Sequence, residues 1–144
     1  METMTKMESL KDQQEGGGDV SKLDSFSPFT SHTANLEAGQ TNFTLRVLKM
    51  NGSTMLFLNA KDMEILDELA VAMPSRNPGQ SQAVSSTIIG GHGQTDSSVL
   101  AAKLSRRYNR QFYVSLNLKL DRLVGPLFEK ALITYINDHL EKFA

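Results

Sequence analysis

The sequence predicts an α+β domain, a mainly antiparallel β-sheet of about six strands with two main helices packed on one face. Three observations lead there. Short segments alternate apolar and polar residues with a period of two, as in Phe43, Leu45 and Val47 against Thr44 and Arg46, the period of an extended strand. An Asn51-Gly52 pair separates two such segments, and Asn-Gly supplies the positive φ angles of a tight hairpin. Only two stretches carry long helical stripes, one ending near Tyr108 and one after Pro126, so helices cover a sheet rather than make the fold themselves.

The 144 residues leave room for one domain, and a chain of this size buries roughly 70% of the surface its unfolded form exposes. Residues 1–40 are dominated by Ser, Thr, Gly, Asp, Glu and Gln, with Gly16-Gly17-Gly18 as a joint. They read as a polar, largely disordered extension that cannot repay its ordering entropy. Val20, Leu23, Phe26 and Phe29 supply the apolar surface there for one short docked strand or turn. The predicted domain is 41–144.

Its first strand runs from Thr41 to Met50, and Met55 to Leu58 return antiparallel after Asn51-Gly52. Residues 62–73 admit two readings. Ile65, Leu66, Leu69, Ala70 and Met73 fit a helical stripe with Asp62 as N-cap. Equally, Leu69 to Met73 is a short apolar run ended by Pro74, which suits a buried strand. Asn77 to Gln80 is a loop by composition, and Val84 to Ile89 is a β-branched strand. Thr95 to Ser98 offers capping side chains for a helix whose inner face holds Leu100, Ala101, Leu104 and Tyr108. Arg106, Arg107 and Arg110 complement the dipole at its far end. Gln111 to Leu118 is a strand with Phe112, Val114, Leu116 and Leu118 on one face, Tyr113, Ser115 and Asn117 on the other. The last helix places Phe128, Leu132, Tyr135, Ile136, Leu140 and Phe143 on its inner side.

Composition excludes several kinds of chemistry. With no cysteine, zinc fingers, disulfide frameworks, Fe–S clusters and thiol nucleophiles drop out together. A net charge of -1, from 15 basic and 16 acidic residues, lacks the clustered cations that bind nucleic acid by releasing counterions. The first eighteen residues contain no apolar core of a secretory signal, and no run reaches the about 18 apolar residues of a spanning helix, so no membrane is expected. His32, His92 and His139 show no ligand spacing, and no nucleophile elbow accompanies the serines. No catalytic residue, cofactor or metal is expected. The loop Gly90-Gly91-His92-Gly93 before a helix is the one passage resembling a phosphate cradle. It makes neither G-x-G-x-x-G nor a P-loop, and Asp96 stands where phosphate would sit. A small nucleotide-binding regulator, or an adaptor, using that loop is the alternative function; turning the chain and capping the helix is the plainer role.

What the pattern does predict is association. Several strands are apolar on both faces: Leu48 opposes Phe43, Leu45 and Val47, while Leu56 and Leu58 oppose Met55 and Phe57. With helices on one side only, the other apolar face needs a second layer, and a protein partner supplies it.

Leu69 to Met73, then Ser75-Arg76, then Val84 to Gly90 resemble the fourth proteasome assembly chaperone family of eukaryotes. Ser98 to Arg106 with Asn109, Gln111 to Leu118, and the ending Glu141-Lys142-Phe143 resemble that family in the same order and spacing. The similarity covers about Thr41 to Phe143. It implies a non-enzymatic chaperone for the α-ring of the 20S proteasome, in the cytoplasm and also the nucleus. It implies a heterodimer with a sister chaperone, the third member, sheet facing sheet, and binding of a proteasome α-subunit, chiefly the fifth. It also implies that Leu69 to Met73 is a strand. The long polar N-terminus, Gly91-His92-Gly93 and Asn77 to Gln80 depart from the family pattern. The candidate partner-binding residues are Arg46 and Leu48 opposite Phe43, Leu56 and Leu58 on the neighbouring strand, and Tyr113 and Ser115 on the late strand.

Overall fold

The computed structural model of the protein describes residues 29–77, 82–91 and 93–144. Val20, Leu23, Phe26, the Gly16 to Gly18 joint, residues 78–80 of the predicted loop and His92 lie outside the described residues.

Six strands form one sheet in the order β1-β2-β3-β6-β4-β5. They are β1 (Thr30–Ala38), β2 (Thr41–Lys49), β3 (Ser53–Ala60), β4 (Leu69–Pro74), β5 (Ala83–Ile89) and β6 (Gln111–Leu116). Only the β3–β6 pairing is parallel. Two helices, α1 (Asp96–Tyr108) and α2 (Val124–Asp138), pack on one face, and a 3-10 turn (Leu140–Lys142) follows. The predicted α+β class holds, and the six-stranded sheet is mainly antiparallel as expected, mixed only through its β3–β6 pair.

The boundary at residue 40 does not hold, because β1 pairs along its whole length with β2. His32, Ala34 and Leu36 of β1 lie opposite the buried Val47, Leu45 and Phe43. The strand carries so few large apolar residues that composition reads it as linker; its neighbour and α2 provide the burial. Gly39 turns the chain at φ +65° and joins Ala38 to Thr41 as a two-residue hairpin with glycine first. Phe29, just before β1, is exposed.

The second hairpin forms where Asn51-Gly52 places it, with Gly52 alone of the pair at positive φ, +89°. Arg110 braces it from beyond α1. Its guanidinium donates to the Met50 and Ser53 carbonyls at 2.6 and 2.9 Å and to Thr54 Oγ1 at 2.8 Å. Of the three arginines assigned to the helix end, this one ties α1 to the sheet.

Between β3 and β4 the helical reading fails. Asp62 sits at φ +62° and caps nothing. Met63 N closes a turn onto the Ala60 carbonyl at 3.1 Å, and beyond it the backbone bonds to asparagine side chains. Asn59 Oδ1 accepts from Ile65 N at 3.1 Å, and Asn117 Oδ1 accepts from Asp67 N at 2.9 Å. Asn117 Nδ2 donates to the Ile65 carbonyl at 2.8 Å. Leu69 to Pro74 is a strand because its alternate residues Ala70 and Ala72 meet Val114 and Phe112 of β6 on the core side.

Thr95 and Ser98 form a reciprocal capping box at the start of α1, and Asn109 closes it in the left-handed conformation at φ +51°. Asp121 Oδ1 accepts from Leu123 N and Val124 N at 2.9 and 2.7 Å, which caps α2 without an N-cap side chain. The core lies between the sheet and the helices: Leu45, Leu56, Leu58 and Val114 from the strands meet Leu104, Leu132, Ile136 and Phe143, all fully buried. Phe43 and Phe128 join strand and helix with ring centroids 4.8 Å apart. Among the described residues no helix is long and apolar enough to cross a membrane.

Candidate partner-binding face

Because side chains alternate along a strand, the residues not facing the helices line the opposite face. The register runs them in rows. Ser31, Leu48, Met55, Tyr113, Val71 and Ser86 are successive neighbours across all six strands. The adjacent row is Thr33, Arg46, Phe57 and Ser115. Leu48, Met55, Phe57, Val71 and Tyr113 are half-buried by their neighbours alone, while Met73 and Val84, paired across β4 and β5, are exposed. The middle of this face is apolar and its β1 margin is polar.

Four of the six candidate residues, Arg46, Leu48, Tyr113 and Ser115, do lie on this face. Leu56 and Leu58 do not. Both are fully buried beneath the helices, opposite Val47 and Leu45, so no second protein reaches them. The strand phase is the other one, and Met55 and Phe57 take their place. Ser115 has the right phase but is fully buried, with Asn117 Nδ2 donating to its hydroxyl at 2.9 Å. Arg46 is exposed and engaged: Nε donates to Glu64 Oε1 at 2.8 Å, and NH2 meets Oε2 at 2.5 Å. These hydrogen bonds hold the Glu64 carboxyl below the ordinary carboxylate range. Glu64, Met55, Phe57, Val71 and Val84 are absent from the sequence-based set.

The glycine loop has a structural explanation. A Cβ on Gly90 would stand 2.3 Å from the Asp67 carbonyl oxygen, at a φ of +80° that already favours glycine. At the start of α1, where a phosphate would bind, Glu68 Oε1 already accepts from Ser97 N at 3.3 Å and Ser97 Oγ at 2.7 Å. The Ser98 amide is held by Thr95. Two of the three histidines come together: His32 is hydrogen-bonded to the Tyr135 hydroxyl, and the Tyr135 and His139 rings stack at 4.1 Å. Among the described residues no group of three or more His, Cys, Asp or Glu could hold a metal ion.

The family model described as Proteasome assembly chaperone 4 matches residues 42–118, from β2 through β6. The human protein named Proteasome assembly chaperone 4 is 38% identical over 128 residues, covering 88% of this chain and 94% of its own. The chain belongs to the proteasome assembly chaperone 4 family. A crystal structure titled as a chaperone complex for yeast 20S proteasome assembly superposes with a TM-score of 0.51, covering 79% of this chain and 94% of its own. At 14% identity that likeness shows the fold alone. Membership of the proteasome assembly chaperone 4 family implies a non-enzymatic role, and the strands its model spans, β2 to β6, carry the apolar part of the open face.

Proposed function

We propose that this protein assists assembly of the 20S proteasome α-ring as one half of a heterodimer. Its helix-free sheet face packs against the sheet of a sister chaperone, the third member, and the pair holds a proteasome α-subunit, chiefly the fifth, by surface complementarity. It does so in the cytoplasm and nucleus. The observation that carries this reading is the half-buried apolar row Leu48, Met55, Tyr113 and Val71, flanked by Phe57 and left without a covering layer by the described residues. A sheet with both faces apolar is stable in water only when both are covered. The names of the human relative and of the yeast complex support the biological setting.

Affinity purification of the full chain followed by mass spectrometry tests it. Recovery of a second small chaperone together with α-subunits is expected. Recovery of neither, from cells that contain both, contradicts the reading.

A further inference from the structure

The proposed pairing, on which this inference rests, meets a difficulty of size. The apolar part of the open face runs from Leu48 of β2 to Val84 of β5, four inter-strand spacings of about 4.8 Å, or some 19 Å. With strands of about 20 Å, it projects roughly 400 Å². Even doubled for side-chain relief, that only just reaches the about 800 Å² per partner of an ordinary stable interface, with nothing to spare. Either the pairing is weak or other residues enlarge it.

Residues 61–68 lie at the rim of that face and expose three large apolar side chains: Met63 at 60%, Ile65 at 41% and Leu66 at 50%. Unlike an ordinary loop, this one is fastened at every turn. Asn59, in the open-face phase and only 4% exposed, accepts from Ile65 N. Asn117, at the end of β6, receives the Asp67 and Glu68 amides and donates to the Ile65 carbonyl. Its Nδ2 also reaches Ser115, on the open face. Glu64 grips Arg46, beside Phe57 in the open-face row. Behind it, Gly90 abuts the Asp67 carbonyl so closely that no side chain fits between.

We propose that residues 61–68 are a pre-organised lip of the pairing surface, with Met63, Ile65 and Leu66 inserting into an apolar recess at the margin of the sheet that covers the open face. The partner this fits is one whose sheet overhangs the β3–β6 end and offers an apolar rather than a charged border. The Arg46–Glu64 pair is a positioning device. Its own strength is small at this exposure, but it fixes Met63 and Ile65 before binding, so that less ordering entropy is lost on association. The continuity of lip and face, joined through Arg46 and Asn117, commits the lip to the same partner as the face.

The test is the Kd of the full chain for its co-expressed sister chaperone, with thermal stability followed in parallel. Met63→Asp with Ile65→Asp is expected to weaken pairing about tenfold or more, with Tm unchanged because neither residue is buried. Glu64→Gln is expected to weaken it about threefold, and the exchange Arg46→Glu with Glu64→Arg to restore it. Phe57→Asp, on the face itself, separates the two claims. Loss of pairing in Phe57→Asp and in the lip variants supports the lip. Loss in Phe57→Asp alone overturns the lip and leaves the face standing. Wild-type pairing in Phe57→Asp overturns the face and the lip with it.

Discussion

Glu68 and Ser97 are joined twice, the carboxylate accepting from both the backbone amide and the hydroxyl at the first turn of α1. The same Ser97 hydroxyl accepts from Leu116 N at 3.0 Å, so helix, loop and β6 meet at one atom. An acidic side chain from the β3–β4 loop thus occupies the anion site of the helix N-terminus. Glu68→Ala is expected to destabilise the fold by about 1 kcal/mol, read from urea midpoints. Calorimetry with ATP and GTP should show no heat of binding in the parent chain. Binding lost on replacing Gly91 and Gly93 would favour the nucleotide alternative instead.

Leu48 and Leu56 are opposite tests of one strand pair. Leu56 is fully buried, and Leu56→Ala should cost about 2–5 kcal/mol. Leu48 faces away from the helices, so Leu48→Asp should leave Tm within a few degrees while abolishing pairing with the sister chaperone. Sedimentation velocity and thermal melts separate the two effects.

His32 gives the fold a pH dependence. Burial is the main cause that lowers its pKa below the unfolded 6.5, with the neighbouring Lys142 and His139 adding to it and Glu141 opposing. The sign follows: above 6.5 the ring is neutral folded or unfolded and contributes nothing. As pH falls below 6.5 the unfolded chain takes the proton first, so stability drops through the folded pKa. Tyr135, whose hydroxyl holds the ring, is raised by burial and stays protonated throughout. His32→Asn should flatten the fall in urea midpoint between pH 7.5 and 5.5, which chemical denaturation at the two pH values measures.

Arg110 serves the β2–β3 turn by its fork geometry. Arg110→Ala strips donors from the Met50 and Ser53 carbonyls and from Thr54, which is buried. A loss of about 2–3 kcal/mol is expected, with Arg110→Lys recovering only part, since one ammonium cannot reproduce the planar fork. Guanidinium unfolding checks both variants.

The elements with strong local signals were legible: the Asn51-Gly52 hairpin, the capped start of α1 at Thr95 and the alternation of Phe112 with Tyr113 all stand in the fold. β1 was not, because His32, Ala34 and Leu36 become core-facing only beside Val47, Leu45 and Phe43, a non-local fact. The loop at 61–68 mimics a helix because Ile65, Leu66 and Leu69 have helical spacing, while the side chains of Asn59 just before it and of Asn117, 50 residues on from Asp67, take its backbone bonds. The phase of β3 was within reach. A hairpin centred on Asn51-Gly52 sets Leu45 opposite Leu58 and Val47 opposite Leu56, and residues directly opposite share a face. Applying the turn to the register would have chosen Met55 and Phe57.

Hydroxyl-radical footprinting of the chain alone and with its sister chaperone is the most direct measurement. Protection of Met55, Phe57 and Tyr113, with Leu123 and Leu127 beside the helices still reactive, is the predicted result. Unchanged reactivity at those three, with Leu123 and Leu127 shielded instead, would contradict it.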